Sequence, residues 1–181
     1  MIAALSPFGL VWVYHGAPVA WICLALLTLR RLGELVYARR NTRRLLARGA
    51  REYGAGHYPA MVAIHAAFLL SLWLCIPPYQ PIIWPLLIAV LGLQAARLWV
   101  LATLGEYWTT RIISSPDFPR IRSGPFRLVN HPNYWIVTFE IALIPLVFGQ
   151  FWIALLFSAL NAAILTIRIR TESVVLAQRL S

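Results

Sequence analysis

The chain contains no lysine, only six acidic residues and only two cysteines. Each scarcity narrows the field. All sixteen basic residues are arginine, a pattern of GC-rich coding to which no functional role is attached. Cys23 and Cys75 both fall inside apolar runs, which excludes a disulfide framework or a thiolate metal site and leaves them as small buried hydrophobes. Charged residues are 12% of the chain against 60% hydrophobic, with a mean hydropathy of +0.71. Soluble domains carry roughly 25% charged and about 45–50% apolar residues, so a soluble globular protein is excluded. There is no HExxH zinc pattern, no GxSxG elbow and no P-loop. Gly54-Ala55-Gly56 follows no strand of a βαβ unit, which removes a Rossmann-type cofactor site. The first residues lack the basic region of a secretory signal, and no small-residue cleavage pattern follows the first apolar run. That run is expected to remain as a membrane helix.

What is present is a set of apolar runs separated by polar turns. A hydrocarbon core about 30 Å thick needs roughly 20 apolar residues per helix. Five runs approach that length: Leu10–Leu29, Pro59–Ile76, Ile82–Leu104, Tyr134–Phe148 and Phe151–Ile167. The last two are short for a full crossing. Pro77, Pro78 and Pro81 break the second from the third, and Gly149-Gln150 breaks the fourth from the fifth. The expected fold is therefore an all-α integral membrane protein of about five transmembrane helices, a single domain over residues 1–181. Residues 1–104 hold three helices and a basic loop, and residues 105–181 form a C-terminal half.

Charge placement orients the bundle. The Arg30–Tyr58 segment carries eight arginines against Glu34 and Glu52. The segment after the third run carries Arg111, Arg120, Arg122 and Arg127 against Glu106 and Asp117, and the tail carries Arg168, Arg170 and Arg179 against Glu172. With five spans all three lie on one side, which the positive-inside rule makes cytoplasmic. The formal charge of +10 then reads as topology and contact with anionic lipid headgroups. Nucleic acid is not an expected partner, since no nucleic-acid module accompanies the charge. The Arg30–Arg51 stretch has helical spacing and an apolar side, as for a helix leaving the membrane or lying on its surface.

Candidate functional residues gather on the charged face. The 124–134 segment concentrates Arg127, Asn130, His131, Asn133 and Tyr134 just before an apolar run. Gly105 to Asn133 adds Glu106, Tyr107, Trp108, Thr109, Thr110 and Arg111, shaped by prolines into loop. Arg168 and Glu172 stand four apart and would lie side by side on a continued helix. Arginine forks bind carboxylate or phosphate, glutamate suits ribose hydroxyls or an ammonium, and aromatics supply stacking faces with a polar edge. The set fits S-adenosylmethionine and equally a dinucleotide. Arg97 and Glu140 sit inside apolar runs, where ionisable groups are functional candidates or a pair that locks two helices. His15 and His65 could hold a haem between helices, but read more simply as satisfied core histidines.

Gly124-Pro125-Phe126-Arg127, His131-Pro132-Asn133-Tyr134, Glu140, Asn161 and Arg168-Ile169-Arg170-Thr171-Glu172 resemble the isoprenylcysteine carboxyl methyltransferase (ICMT) family. Arg31-Leu32-Gly33-Glu34-Leu35, Arg40-Asn41, Gly49-Ala50-Arg51-Glu52 and His57-Tyr58-Pro59 look like its bacterial branch, which O-methylates alkylpyrones and alkylresorcinols made by type III polyketide synthases. The resemblance covers nearly the whole chain. It implies a cofactor, S-adenosyl-L-methionine, held in the C-terminal half by His131, Pro132, Asn133, Tyr134 and Glu172. It also implies catalytic roles for Glu140 and Arg168: Arg168 to orient the cofactor or a substrate anion, and Glu140 to position or deprotonate the acceptor. The acceptor would be a lipidic small molecule or a prenylated one, entering sideways from a bacterial inner membrane. Two positions depart from the family pattern: Asn130 stands where arginine is usual, and Ser173 where a second glutamate is frequent. A sterol-like lipid reductase using NADPH shares a similar C-terminal motif, and a phospholipid N-methyltransferase or a non-catalytic lipid-binding protein are further alternatives.

Overall fold

The computed structural model describes residues 3–4, 11–12, 18–119 and 121–178. Five helices carry the fold: α1 (Val19–Ala47), α2 (Tyr58–Cys75), α3 (Trp84–Leu104), α4 (Pro132–Val147) and α5 (Phe151–Gln178). Ala3–Ala4 pairs antiparallel with Val11–Trp12 ahead of them. The expected first span starts too early: Val11–Trp12 form a strand and the helix begins at Val19, while Leu10, His15, Arg120 and Arg179 lie outside the described residues.

Prolines set the helix boundaries as the sequence suggested. Pro59, Pro85 and Pro132 each occupy a first-turn position, where the missing N–H is not needed and the fixed φ suits a helix. Pro77 and Pro78 follow the end of α2, and Gly149 adopts φ +70° to end α4. Among the described residues, three helices are long and apolar enough to cross a membrane, over Ala55–Cys75, Trp84–Tyr107 and Phe151–Val175. α4 is shorter, with 16 residues, or about 24 Å at 1.5 Å per residue.

Further expectations change. The fifth run does not stop at Ile167: α5 continues to Gln178, because nothing between Ile167 and Glu172 breaks a helix and Arg168 has partners inside the bundle. The helical spacing of Arg30–Arg51 holds through Ala47, but as a direct continuation of the first span, since α1 runs without a break from Val19. Arg30, Arg31 and Glu34 therefore belong to the bundle, not to its surface. Cys75 is also exposed and not buried.

α4 is the central element. It packs against both α3 and α5 and buries nine residues, including Tyr134, Val137, Glu140, Ile141 and Ile144. The main core joins Leu24, Phe68, Leu72, Ile141, Val147 and Phe157, with Phe68 and Phe157 edge to face at 5.3 Å. Leu26, Leu74 and Trp152 stay 63–76% exposed, an anomaly in water but the proper surface towards lipid. Lipid tails are as apolar as leucine, so helices associate through packing and interhelical polar contacts. At one end Ile83 N–H donates to the Val147 carbonyl at 2.9 Å, Gln80 to Phe148 at 2.9 Å and Trp21 to Ile76 at 3.0 Å.

At the opposite end, where α1, α3 and α5 finish and α2 and α4 begin, the chain builds a small cap. Arg51–Tyr53 pairs antiparallel with Ile112–Ser114. Asn41 donates to the carbonyls of Gly105 and Trp108 at 3.1 and 2.9 Å. Gly124 turns with φ +55°, and a Cβ there would lie 2.6 Å from Thr103 Oγ1. Only glycine fits both the left-handed backbone and the gap.

Candidate active site

Between α1, α2, α4 and α5, roofed by residues 108–110, lies a cavity of about 320 Å³. Its wall changes character with depth. Tyr58, Thr110, Asn133, Tyr134 and Arg168 line it near the cap, whereas Leu27, Phe68, Ile141 and Ile144 line it farther along the same helices. A chamber polar at its cap end, the mouth, and largely apolar deeper apart from Arg31, Glu34, His65 and Arg97 suits an amphiphile bound head towards the cap.

The mouth is organised by one continuous polar chain. His131 adopts φ +54°, ψ +55° at the start of α4 and is the sole non-glycine with positive φ among the described residues. Histidine enters this region more readily than most residues, yet such strain persists only where the surroundings enforce it. The conformation stacks the His131 ring on Tyr134, with centroids 5.2 Å apart and planes 14° from parallel. His131 Nδ1 lies 3.4 Å from Glu172 Oε1. The Tyr134 hydroxyl donates to Glu172 Oε2 and accepts from Arg168 Nε at 2.9 Å. Arg168 Nη1 then donates to the Thr110 carbonyl at 2.7 Å, tying α5 to the roof. Arg168 and Glu172 do share a helix face, as their spacing suggested, but they communicate through Tyr134. The hydrogen bond to Glu172 holds the His131 proton to higher pH than usual, against an opposing contribution from burial.

Two buried atoms of the wall have no partner among the described residues: the Trp108 indole nitrogen and Asn133 Oδ1. One is a donor and the other an acceptor, so both suit a ligand with polar groups of each kind. Leaving such groups unpaired costs about 1–3 kcal/mol each.

Deeper in the bundle lies a second polar assembly. Arg97 Nε donates to both oxygens of Glu34 at 3.0–3.1 Å, and its Nη1 donates to Glu140 at 2.8 Å. Arg31 reaches Glu140 at 2.6 Å and Glu34 at 3.2 Å. Arg30 also bonds both carboxylates, and Gln94 donates to Glu140 at 2.9 Å. Three guanidiniums thus surround two carboxylates. Arg31, Glu34 and Arg97 line the cavity. Glu140 is 0% exposed and stands behind them, with both oxygens occupied.

Of the residues singled out from sequence, His131, Asn133, Tyr134, Arg168 and Glu172 come together, with Pro132 buried beneath as the first residue of α4. Asn133, Tyr134 and Arg168 line the cavity with Trp108, Thr109 and Thr110, while His131 and Glu172 stand outside that lining and connect to it through Tyr134. Arg127, Asn130 and Arg170 are exposed, and Glu106 pairs with Arg48 on the surface at 2.8 Å. Sequence reasoning did not assign Arg31 and Glu34 to the interior. Their signal was an i,i+3 charge pair opposite Arg97 and Glu140 of later helices, legible only if α1 continues past Leu29.

The geometry can be set beside known proteins. A family model described as the isoprenylcysteine carboxyl methyltransferase (ICMT) family matches residues 86–178, which include His131, Tyr134, Glu140, Arg168 and Glu172. A relative from Bacillus subtilis (strain 168), the "Uncharacterized protein YpbQ", is 39% identical over 156 residues, covering 84% of this chain and 93% of its own. No solved structure matches the chain. With the family match spanning half of its length and the relative most of it, this helical membrane protein belongs to the isoprenylcysteine carboxyl methyltransferase (ICMT) family.

Proposed function

We propose that the chain is a membrane O-methyltransferase that uses S-adenosyl-L-methionine to methylate a carboxylate or acidic hydroxyl of a lipidic acceptor, prenylcysteine-like or alkylpyrone-like. The observation that carries this reading is the cavity itself, whose wall sets charged and polar groups (Arg31, Glu34, Arg97, Asn133, Arg168) among apolar side chains inside a member of a methyltransferase family. The acceptor's tail packs on the apolar part of that wall and enters laterally between helices. The charged cap faces the cytoplasm, in keeping with the arginines there.

The residues present fit the cofactor. Glu172 provides a carboxylate for an ammonium or for ribose hydroxyls, Asn133 Oδ1 a buried acceptor without a partner among the described residues, and His131 and Tyr134 a stacked aromatic surface. When bound, S-adenosyl-L-methionine supplies an electrophilic methyl group on a sulfonium. The chain supplies position, exclusion of water and charge. Arg168, held by Tyr134 and Thr110, orients an anionic group at the mouth. Glu140 is assigned to positioning and not to proton abstraction, because its oxygens already accept from three arginines and Gln94.

Equilibrium binding of S-adenosylmethionine and of NADPH to protein in nanodiscs tests the reading. Saturable binding of the first alone, weakened by Glu172→Gln, is the expected result. Binding of NADPH alone would assign the site to a lipid reductase, and binding of neither by folded protein would leave a lipid-binding protein.

A further inference from the structure

His65 lies on α2 two turns beyond Tyr58, about 10 Å deeper at the rise of a helix, and lines the cavity that holds Asn133, Tyr134 and Arg168. Its Nδ1 is 2.8 Å from the Met61 carbonyl oxygen. A carbonyl only accepts, so Nδ1 carries the hydrogen, and in the neutral ring Nε2 is left with a bare lone pair. Nε2 has no partner among the described residues. The same turn is tied to the mouth, since Arg168 Nη1 lies 3.2 Å from Met61 Sδ. A histidine present only for packing would leave that second nitrogen unsatisfied inside the membrane, where an unpaired polar group is costly.

We propose that His65 is the proton acceptor of the reaction when the acceptor group is an acidic hydroxyl. This rests on the methyltransferase reading above and assigns its deprotonation step to a residue. A carboxylate is ionised at neutral pH and needs no base, whereas a hydroxyl must lose a proton before or as its oxygen attacks. In the step assigned here the acceptor's O–H bond breaks and an Nε2–H bond forms. The electron pair of the broken bond stays on oxygen, which forms the new O–CH3 bond as the S–CH3 bond of the methyl donor breaks and its pair passes to sulfur, leaving a neutral thioether. The imidazolium returns its proton to water when the product leaves.

The charged and titratable groups facing this space favour an oxyanion. Arg31 comes from α1, Arg97 from α3 and Arg168 from α5, against Glu34 from α1, while Tyr58 of α2 and Tyr134 of α4 are hydroxyls. Three arginines and two glutamates in the inner assembly leave one positive charge in excess, which an acceptor oxyanion would balance. Arg31, Glu34 and His65 all precede the segment that the family model matches.

The first stage of the test needs no methyl donor. A lipid-tailed nitrophenol is added to wild type and to His65→Asn in nanodiscs, and its phenolate absorbance is followed against pH. Asparagine keeps an N–H for the Met61 carbonyl and removes the second nitrogen. The wild type is expected to hold the bound probe as phenolate about one pH unit or more below the free probe's own ionisation, and His65→Asn to lose that shift. An unchanged titration in the variant overturns the assignment, because the arginines would then suffice. With S-adenosylmethionine present, His65→Asn is expected to slow methylation of an alkylphenol about 100-fold and to leave a carboxylate of the same tail unaffected. Equal losses on both acceptors would mean a structural role and overturn it. Absence of S-adenosylmethionine binding refutes the methyltransferase reading, whereas normal binding with an unchanged probe titration refutes His65 alone. Should the variant not fold, NMR of nitrogen-labelled histidine in the wild type reads the same point. A neutral ring protonated on Nδ1 supports the proposal, and an Nε2–H tautomer overturns it.

Discussion

Arg97 on α3 donates to Glu140 on α4 across 2.8 Å and to Glu34 on α1 across 3.0 Å, so one guanidinium joins three helices inside the apolar bundle. Lipid offers no hydrophobic drive for these helices to associate, and a shared buried charge is a strong alternative tie. It is also fragile. Removing one partner of a buried pair leaves an uncompensated charge and costs about 3–5 kcal/mol. Glu140→Gln leaves three arginines facing Glu34 alone. Thermal unfolding in detergent is expected to show a large destabilisation for Glu140→Gln and for Arg97→Gln separately. The double variant restores the balance and should fall well short of their sum. Strict additivity would refute the coupling.

Much of the fold was legible because apolar length and proline are strong local signals. α2 and α3 lie within a residue or two of their expected bounds, and Pro77-Pro78 and Gly149 end helices as their chemistry requires. What was hidden depends on contacts between distant segments. Arg168 reads as one arginine of a charged tail until Tyr134 and the Thr110 carbonyl give its guanidinium partners. Glu34 reads as one charge of a helix leaving the membrane until the bundle turns it towards Arg97. The polar mouth was legible as a cluster of residue types at His131–Tyr134 and Arg168–Glu172. Its order, with Tyr134 between Arg168 and Glu172, was not. His65 looked like any histidine in an apolar run, since no pattern in sequence shows which ring nitrogen has a partner.

Tyr134 should matter through its hydroxyl more than its ring. Tyr134→Phe keeps the stack with His131 and removes the link from Arg168 to Glu172. Hydrogen bonds to charged groups contribute about 1.5–3 kcal/mol. S-adenosylmethionine affinity is therefore expected to fall about tenfold or more, with little change in the amount of folded protein. Calorimetric titration checks this, and unchanged affinity would remove Tyr134 from the cofactor site.

Gly124 provides a steric test of the cap. Alanine there meets a left-handed backbone as well as Thr103 Oγ1 at 2.6 Å. A strained residue of this kind costs of order 1–3 kcal/mol. Gly124→Ala should lower the melting temperature, and adding Thr103→Ala should recover part of the loss, since the clash is relieved but φ is not. Full recovery would show that the backbone conformation carries no strain.

The His131–Glu172 contact gives the mouth a pH dependence whose sign follows from its direction. The carboxylate raises the folded-state pKa of His131 above its ordinary value, near 6.5 for the unfolded chain. The pair's contribution is then fully present below about pH 6.5 and is lost as pH rises through the higher folded value. Wild type and His131→Asn should differ most in melting temperature on the acidic side and converge on the alkaline side. If S-adenosylmethionine presents its ammonium to Glu172, protonated His131 competes for the same carboxylate. Cofactor affinity should then rise over the window in which the stability contribution falls. Titrations of affinity and of melting temperature across that window, in both proteins, check the opposition. A parallel decline of both would mean that His131 must be charged for the cofactor to bind.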